Sequence, residues 1–323
     1  MRSETETTAM IPSTPKERPI GGLHHLAIAV QDLPRAERFY RDGAGSRPWP
    51  AAQRLDLPAG ARSLCMPNAG LVLLAAEPTA PLVRRPVSEA GIAHACIQTP
   101  DIGTVVNRFL ALDARLHSDP VDLGTGFLYC YARDPEANVI EVECVAPVWA
   151  DARPWLAHAN IATPDLRRLL AFYKAFLGVD GVSSPLLRDN KRVDTIVDLA
   201  DVQLRAAWLN LGNTQLELMQ YVHPATLSET GRRAPGAPGF AHLAFEVRGL
   251  AEACAHLSAC GGQLLEEPAP AAWQAYGLDP DGNRLLLLDL SAPEQAELRI
   301  SALADPQITH RFSVARTALM ASR

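Results

Sequence analysis

One recurring feature limits the folds open to this chain: a short apolar strand carrying a histidine, followed by a helical stretch. Leu23 to Val30 reads Leu-His-His-Leu-Ala-Ile-Ala-Val, and the design returns at Gly91 to Gln98, Trp155 to Thr163 and Gly239 to Val247. The histidines in matching positions are His25, His94, His158 and His242. Repetition at comparable intervals marks supersecondary units stacked on their own copies. Each interval fits the order strand, helix, three strands. Apolar spacing of three and four residues predicts the helices at Leu33 to Asp42, Ile102 to Leu112, Asp165 to Leu177 and Leu250 to Ala259.

The units also close alike. Asp134-Pro135-Glu136-Ala137-Asn138 runs into Val139 to Val145, and Asp279-Pro280-Asp281-Gly282-Asn283 runs into Arg284 to Leu290. Such residues favour tight turns, so each run reads as the hairpin joining the last two strands of a unit. The corresponding turns in the other units are Pro67-Asn68 and Gly212-Asn213. Prolines near Ala146 to Arg153 interrupt the pattern and suggest two domains, residues 21–147 and 153–290, with two units in each. Residues 1–20 read as a disordered leader without the apolar core of a signal peptide, and 291–323 as a C-terminal tail.

Composition narrows the partners. A net charge of -6 and a pI near 5.9 argue against a nucleic-acid partner. No apolar run reaches bilayer-spanning length. Six cysteines without Cys-x-x-Cys spacing suit reduced thiols and a cytoplasmic location.

Strand alternation places His25, Ala27 and Ala29 on one face and directs His24 to the other. Two residues beyond each marker histidine the side chain is small: Ala27, Cys96, Asn160 and Ala244. Glu141 and Glu143 share a face opposite Ile140 and Val142, and a carboxylate facing a sheet interior is costly unless paired or bound to metal. A single histidine on an apolar strand is ordinarily a core residue. Four in one register, out of nine in the chain, point instead to a metal.

Taken together, the four units, the marker histidines and the Asp-Pro-x-Gly-Asn turn resemble the vicinal oxygen chelate superfamily, over about Leu23 to Leu290. That superfamily includes glyoxalase I, methylmalonyl-CoA epimerase, extradiol dioxygenases, fosfomycin thiol transferases and bleomycin-binding proteins. The resemblance implies an α+β fold in which four βαβββ modules pair into two cup-shaped mixed sheets with helices outside. It also implies metal ligands on the first and last strands of each pair. For consecutive pairing the sets are His25, His94 and Glu141, with Val72 in the fourth place, and His158, Glu217 and His242, with Leu286 in the fourth place. Each is a two-histidine, one-carboxylate set for a divalent metal, with Fe(II) favoured over Mn, Ni, Co or Zn. Tyr131-Ala132-Arg133-Asp134-Pro135, leading to Glu141, is similar to part of the extradiol signature. This makes Tyr131 a catalytic candidate and Tyr276 its equivalent in the fourth unit.

The function these features imply is a non-haem Fe(II) extradiol-type dioxygenase acting on a small, catechol-like substrate that chelates the metal. The alternative is a metal-dependent isomerase, lyase or epimerase working through an enediolate, which the loss of an acid at Leu286 disfavours. A non-catalytic drug-binding protein is the third reading. Neither nucleic acid nor membrane is expected as a partner, and a homodimer is allowed for.

Overall fold

A computed structural model of the chain describes residues 20–312 apart from 125, 146–152, 229, 235 and 311. Residues 1–19 of the expected leader (1–20) and most of the expected domain boundary lie outside the described residues, whereas Ile20 opens the first strand. The first unit comprises β1 (Ile20–Val30), α1 (Leu33–Arg38), β2 (Arg47–Pro48), β3 (Arg62–Cys65) and β4 (Gly70–Ala75). The second comprises β5 (Gly91–Thr99), α2 (Ile102–Ala111), the short β6 (Arg115–Leu116) and β7 (Val121–Asp122), β8 (Leu128–Arg133) and β9 (Val139–Cys144). In the third, β10 (Trp155–Ala162), α3 (Leu166–Leu177) and β11 (Gly181–Ser183) precede α4 (Lys191–Val197), β12 (Gln203–Asn210) and β13 (Gln215–His223). The fourth holds β14 (Gly239–Val247), α5 (Leu250–Ala259), β15 (Gln263–Leu264), β16 (Gln274–Leu278) and β17 (Arg284–Asp289).

Local chemistry explains the repetition. Asp32, Asp101 and Asp165 cap the first three unit helices, each carboxylate accepting a backbone N–H from the first turn. In the closing hairpins Asp134 accepts the N–H groups of Glu136 and Asn138, and Asp279 those of Asp281 and Asn283. The turn needs a left-handed residue, which Gly282 supplies at φ 87°; Ala137 takes the same conformation at φ 69° despite its Cβ.

The expected α+β architecture of two mixed sheets is present, but the units pair differently from the sequence expectation. One sheet runs β15-β16-β17-β14-β1-β4-β3-β2 and joins units one and four. The other runs β11-β12-β13-β10-β5-β9-β8-β6, with β7 on β8, and joins units two and three. Neither sheet is therefore confined to residues 21–147 or to residues 153–290; along the chain an outer pair of units encloses an inner pair. Every first strand has the same free edge, so the local pattern of a unit does not choose its partner. Contacts between the sheets do. The Tyr40 hydroxyl donates to Asp134 at 2.7 Å and Tyr173 to Asp279 at 2.9 Å, so consecutive units pack helix to turn on opposite sheets.

The concave face of the outer sheet is largely filled. Trp49, Leu55, Leu286, Leu288, Leu290 and Leu298 form one buried cluster there, the last contributed by the C-terminal segment. Gly70 sits against this plug, where a Cβ would come within 2.4 Å of the Trp49 ring. The tail thus has a packing role: Leu298 is fully buried, and α6 (Ile300–Leu303) follows it.

Candidate metal centre

The inner sheet brings together four ligand atoms from four strands. Antiparallel pairing of β5 with β10 sets His94 opposite Asn160 and His158 opposite Cys96. Parallel pairing then places Glu141 on β9 beside Cys96, and Glu217 on β13 beside Asn160. The sheet's concave face therefore carries His94, Glu141, His158 and Glu217, all buried, with ligand atoms within 4.8 Å of one another.

The separations suit an ion. His94 Nε2 lies 3.2 Å from Glu141 and 3.5 Å from Glu217; His158 Nε2 lies 3.0 Å and 3.1 Å from the same carboxylates. The two imidazole Nε2 atoms are 3.3 Å apart. Ligands bonded at roughly 2.0–2.2 Å to one ion are separated by about 2.8–3.6 Å along the edges of an octahedron or tetrahedron. Two carboxylates and two imidazoles also balance a divalent charge, so the residues fit the metal that the fold implies.

In the metal-free protein, protons play the balancing part. Burial works against charge on His94 and His158, but Glu141 and Glu217 beside His94, and Cys96 and Glu217 beside His158, outweigh it and raise both imidazoles. Burial likewise pushes the carboxylates up, and the imidazoles more than reverse that, holding Glu141 and Glu217 below the usual range. The two acids differ in their further contacts. The Asn160 amide donates to Glu217 at 2.9 Å, whereas the equivalent neighbour of Glu141 is the Cys96 thiol.

The six expected ligands thus fall into two groups. His94, Glu141, His158 and Glu217 share one cup; His25 and His242 face each other in the other, Nε2 to Nε2 at 3.1 Å. Neither expected triad forms, because the units pair one with four and two with three. In the outer cup Val72 and Leu286 stand where acids would complete a site, and both are buried apolar residues.

His24 was expected to face away from His25, but a register shift between Leu23 and His25 brings the two rings together, Nδ1 to Nδ1 at 2.8 Å. His24 Nε2 lies 2.8 Å from the Leu298 carbonyl, which can only accept, and this fixes the whole chain. His24 donates through Nε2, His25 donates through Nδ1 to His24, and His242 donates through Nε2 to His25. Burial, together with the neighbouring histidines, keeps His25 neutral by lowering its pKa well below the ordinary value. Burial pulls His24 down to about 4, and burial with Arg284 takes His242 down to about 3.

The tyrosine candidates separate in the same way. Tyr131 packs on His94, its hydroxyl 3.5 Å from Nε2, and burial followed by Glu141 keeps it protonated. Tyr276 packs on His242 in the outer cup. Beyond the four ligands the inner cup is walled by Tyr131, Val139, Ile196, Leu204 and Tyr221. Ile196 lies on α4, and its carbonyl is bonded by His117 at 3.0 Å. Two contributors went unrecognised in the sequence. Asn160 registered only as a small residue, and α4, the helix between β11 and β12, was not predicted.

Comparison with known proteins agrees with this architecture. Residues 22–142 and residues 157–277 each match a model of the Glyoxalase/Bleomycin resistance protein/Dioxygenase superfamily. The chain belongs to that superfamily and carries two of its domains in tandem. No curated protein gives a significant sequence match. Among solved structures, glyoxalase I from Zea mays superposes with a TM-score of 0.58 at 19% identity, over 84% of this chain and 93% of that chain. A point mutant of the same enzyme reaches a TM-score of 0.62 at 19% identity, over 84% and 93%. A protein from Bacillus subtilis described as a dioxygenase candidate gives 0.59 at 11% identity, over 88% and 90%. At these identities the likeness is one of fold. Among the described residues, no helix is long and apolar enough to cross a membrane.

Proposed function

We propose that this chain is a metal-dependent isomerase or lyase acting on a small substrate that presents two adjacent oxygens. The observation that carries this reading is the meeting of Glu141 and Glu217 with His94 and His158 in one buried cup. The acid missing at Leu286 had counted against proton-transfer chemistry, but in the nested pairing Glu141 supplies it. The dioxygenase reading rested on a two-histidine, one-carboxylate triad in the first half of the chain, a set whose members lie in different cups.

His94, Glu141, His158 and Glu217 would hold the ion, which supplies Lewis-acid polarisation of a substrate carbonyl and so acidifies the neighbouring C–H. A carboxylate then takes that proton and returns it to the adjacent carbon, for which Glu141 and Glu217 are the groups at hand. Asn160 holds Glu217 in place by an amide hydrogen bond, leaving Glu141 the freer of the two. The walls formed by Tyr131, Val139, Ile196, Leu204 and Tyr221 exclude water and favour a substrate with an apolar portion.

The test loads metal-stripped protein separately with Zn, Ni, Co, Mn and anaerobic Fe(II). Solvent deuterium entering α-hydroxycarbonyl and α-substituted thioester compounds is followed by NMR, and oxygen uptake with a catechol panel is measured in parallel. Exchange that Glu141→Gln abolishes is the expected result. Oxygen uptake with a catechol, without exchange in any compound, would overturn the proposal.

A further inference from the structure

The outer cup has no carboxylate ligands, yet it keeps a cavity. About 380 Å³ of space lies on its concave face, lined by Ala29, Leu74, His242, Tyr276, Leu278 and Arg284, with the connector around Arg232 as the opposite wall. Corresponding positions of the two cups show what has changed. His242 matches His94, and Tyr276 matches Tyr131. Leu286 replaces Glu141, and Arg284 replaces Val139, each pair holding the same place in β17 and β9. One cup thus holds two carboxylates that need a cation, while the other holds a fixed cation and no carboxylate of its own.

We infer that this cavity is a metal-independent binding site for a small organic carboxylate, held by Arg284 at its anionic end and packed on Ala29, Leu74 and Leu278 by its apolar body. Arg284 lies with its guanidinium carbon 5.7 Å from the centre of the Tyr276 ring. Among the described residues neither its side chain nor the Tyr276 hydroxyl has a hydrogen-bond partner, and both residues line the cavity. A planar guanidinium beside a hydroxyl matches a planar carboxylate, which can accept two parallel N–H bonds. Asp56, exposed and bonded to Gln274, is the acid whose charge reaches Tyr276. His242, the one of the three linked histidines that lines the cavity, is neutral and repels neither partner. The volume lies within the range of small-ligand sites, about 300–1,000 Å³.

The experiment uses the whole chain, stripped of metal with a chelator, and follows mandelate binding by calorimetry, with methyl mandelate and inorganic phosphate as comparisons. One saturable mandelate site is expected, which the neutral ester does not fill and phosphate does not displace. Arg284→Gln, at an exposed side chain, should weaken binding by about tenfold or more, while His158→Asn in the other cup should leave it unchanged. Absence of saturable binding at millimolar mandelate, equal affinity in Arg284→Gln, displacement by phosphate, or loss of binding in His158→Asn would each overturn the inference. Metal content of the two variants separates this result from the proposed activity: Arg284→Gln keeps the ion of the inner cup whether or not mandelate binds.

Discussion

Asn68 and Asn213 hold each other reciprocally across the two sheets: the amide of Asn68 donates to the Asn213 carbonyl at 2.7 Å, and that of Asn213 to the Asn68 carbonyl at 2.8 Å. The same two amides also reach Leu156 and Leu23, at the starts of β10 and β1. Each turn of a β-hairpin thereby fastens the histidine-bearing strand of the opposite sheet. Replacing either residue with alanine leaves buried carbonyls unpaired and should cost about 1–3 kcal/mol in urea unfolding. Because the two share partners, the double variant should lose measurably less than the sum of the singles.

Metal content distinguishes the cups. His94→Ala, His158→Ala and Glu217→Ala should each abolish stoichiometric binding of one divalent ion, measured by elemental analysis after dialysis. His25→Ala and His242→Ala should keep it. Ion loss in His25→Ala alone would contradict the ligand set described above.

Asn160 offers a subtler test. It touches no ion but fixes Glu217, and loss of such an outer partner commonly costs about 10–100-fold in metal affinity. Asn160→Ala is expected to fall in that range by competitive titration against a chromophoric chelator, with the fold unchanged by circular dichroism.

Ion uptake should release protons. Both imidazoles have raised pKa values in the metal-free protein, so their pairing with Glu141 and Glu217 is fully present below about pH 6.5 and fades as pH rises through the raised values. A metal needs those nitrogens unprotonated. Calorimetric titration in buffers of differing ionisation enthalpy should therefore show net proton release near neutral pH, and affinity should rise with pH.

The outer cup responds to acid in the opposite sense. His24 is held at about 4 in the folded chain, against about 6.5 when unfolded, so the unfolded chain binds more protons between these values and stability falls as pH drops through that window. For this residue alone the loss between pH 7 and 5 is about 2 kcal/mol. His24→Asn should flatten the dependence of unfolding free energy on pH by up to one proton relative to the parent chain.

Much of this molecule was legible before its structure. Strand β14 and helix α5 occupy the residues that periodicity predicts, and the Asp-Pro turns close the hairpins as their chemistry requires. All four residues that meet in the inner cup were among the candidates, because a histidine or glutamate on the closed face of an apolar strand needs a reason to be there. What the sequence concealed was partnership. His94 is equally plausible beside His25 or His158, and the choice is made by long-range contacts such as Tyr40 with Asp134. The facing of His24 was hidden too, since a bulge that breaks strand alternation leaves no periodic trace.

Nested pairing also sets an order of assembly on the ribosome. The inner sheet needs only residues near in the chain, and its four ligands are all present once Glu217 has emerged. The outer sheet must join the first strand made to the last unit, as in Ala27 opposite His242. Contacts of such long sequence separation form slowly and last. The inner cup, with all four of its buried histidines and glutamates, can thus be complete while half of its neighbour has yet to be synthesised.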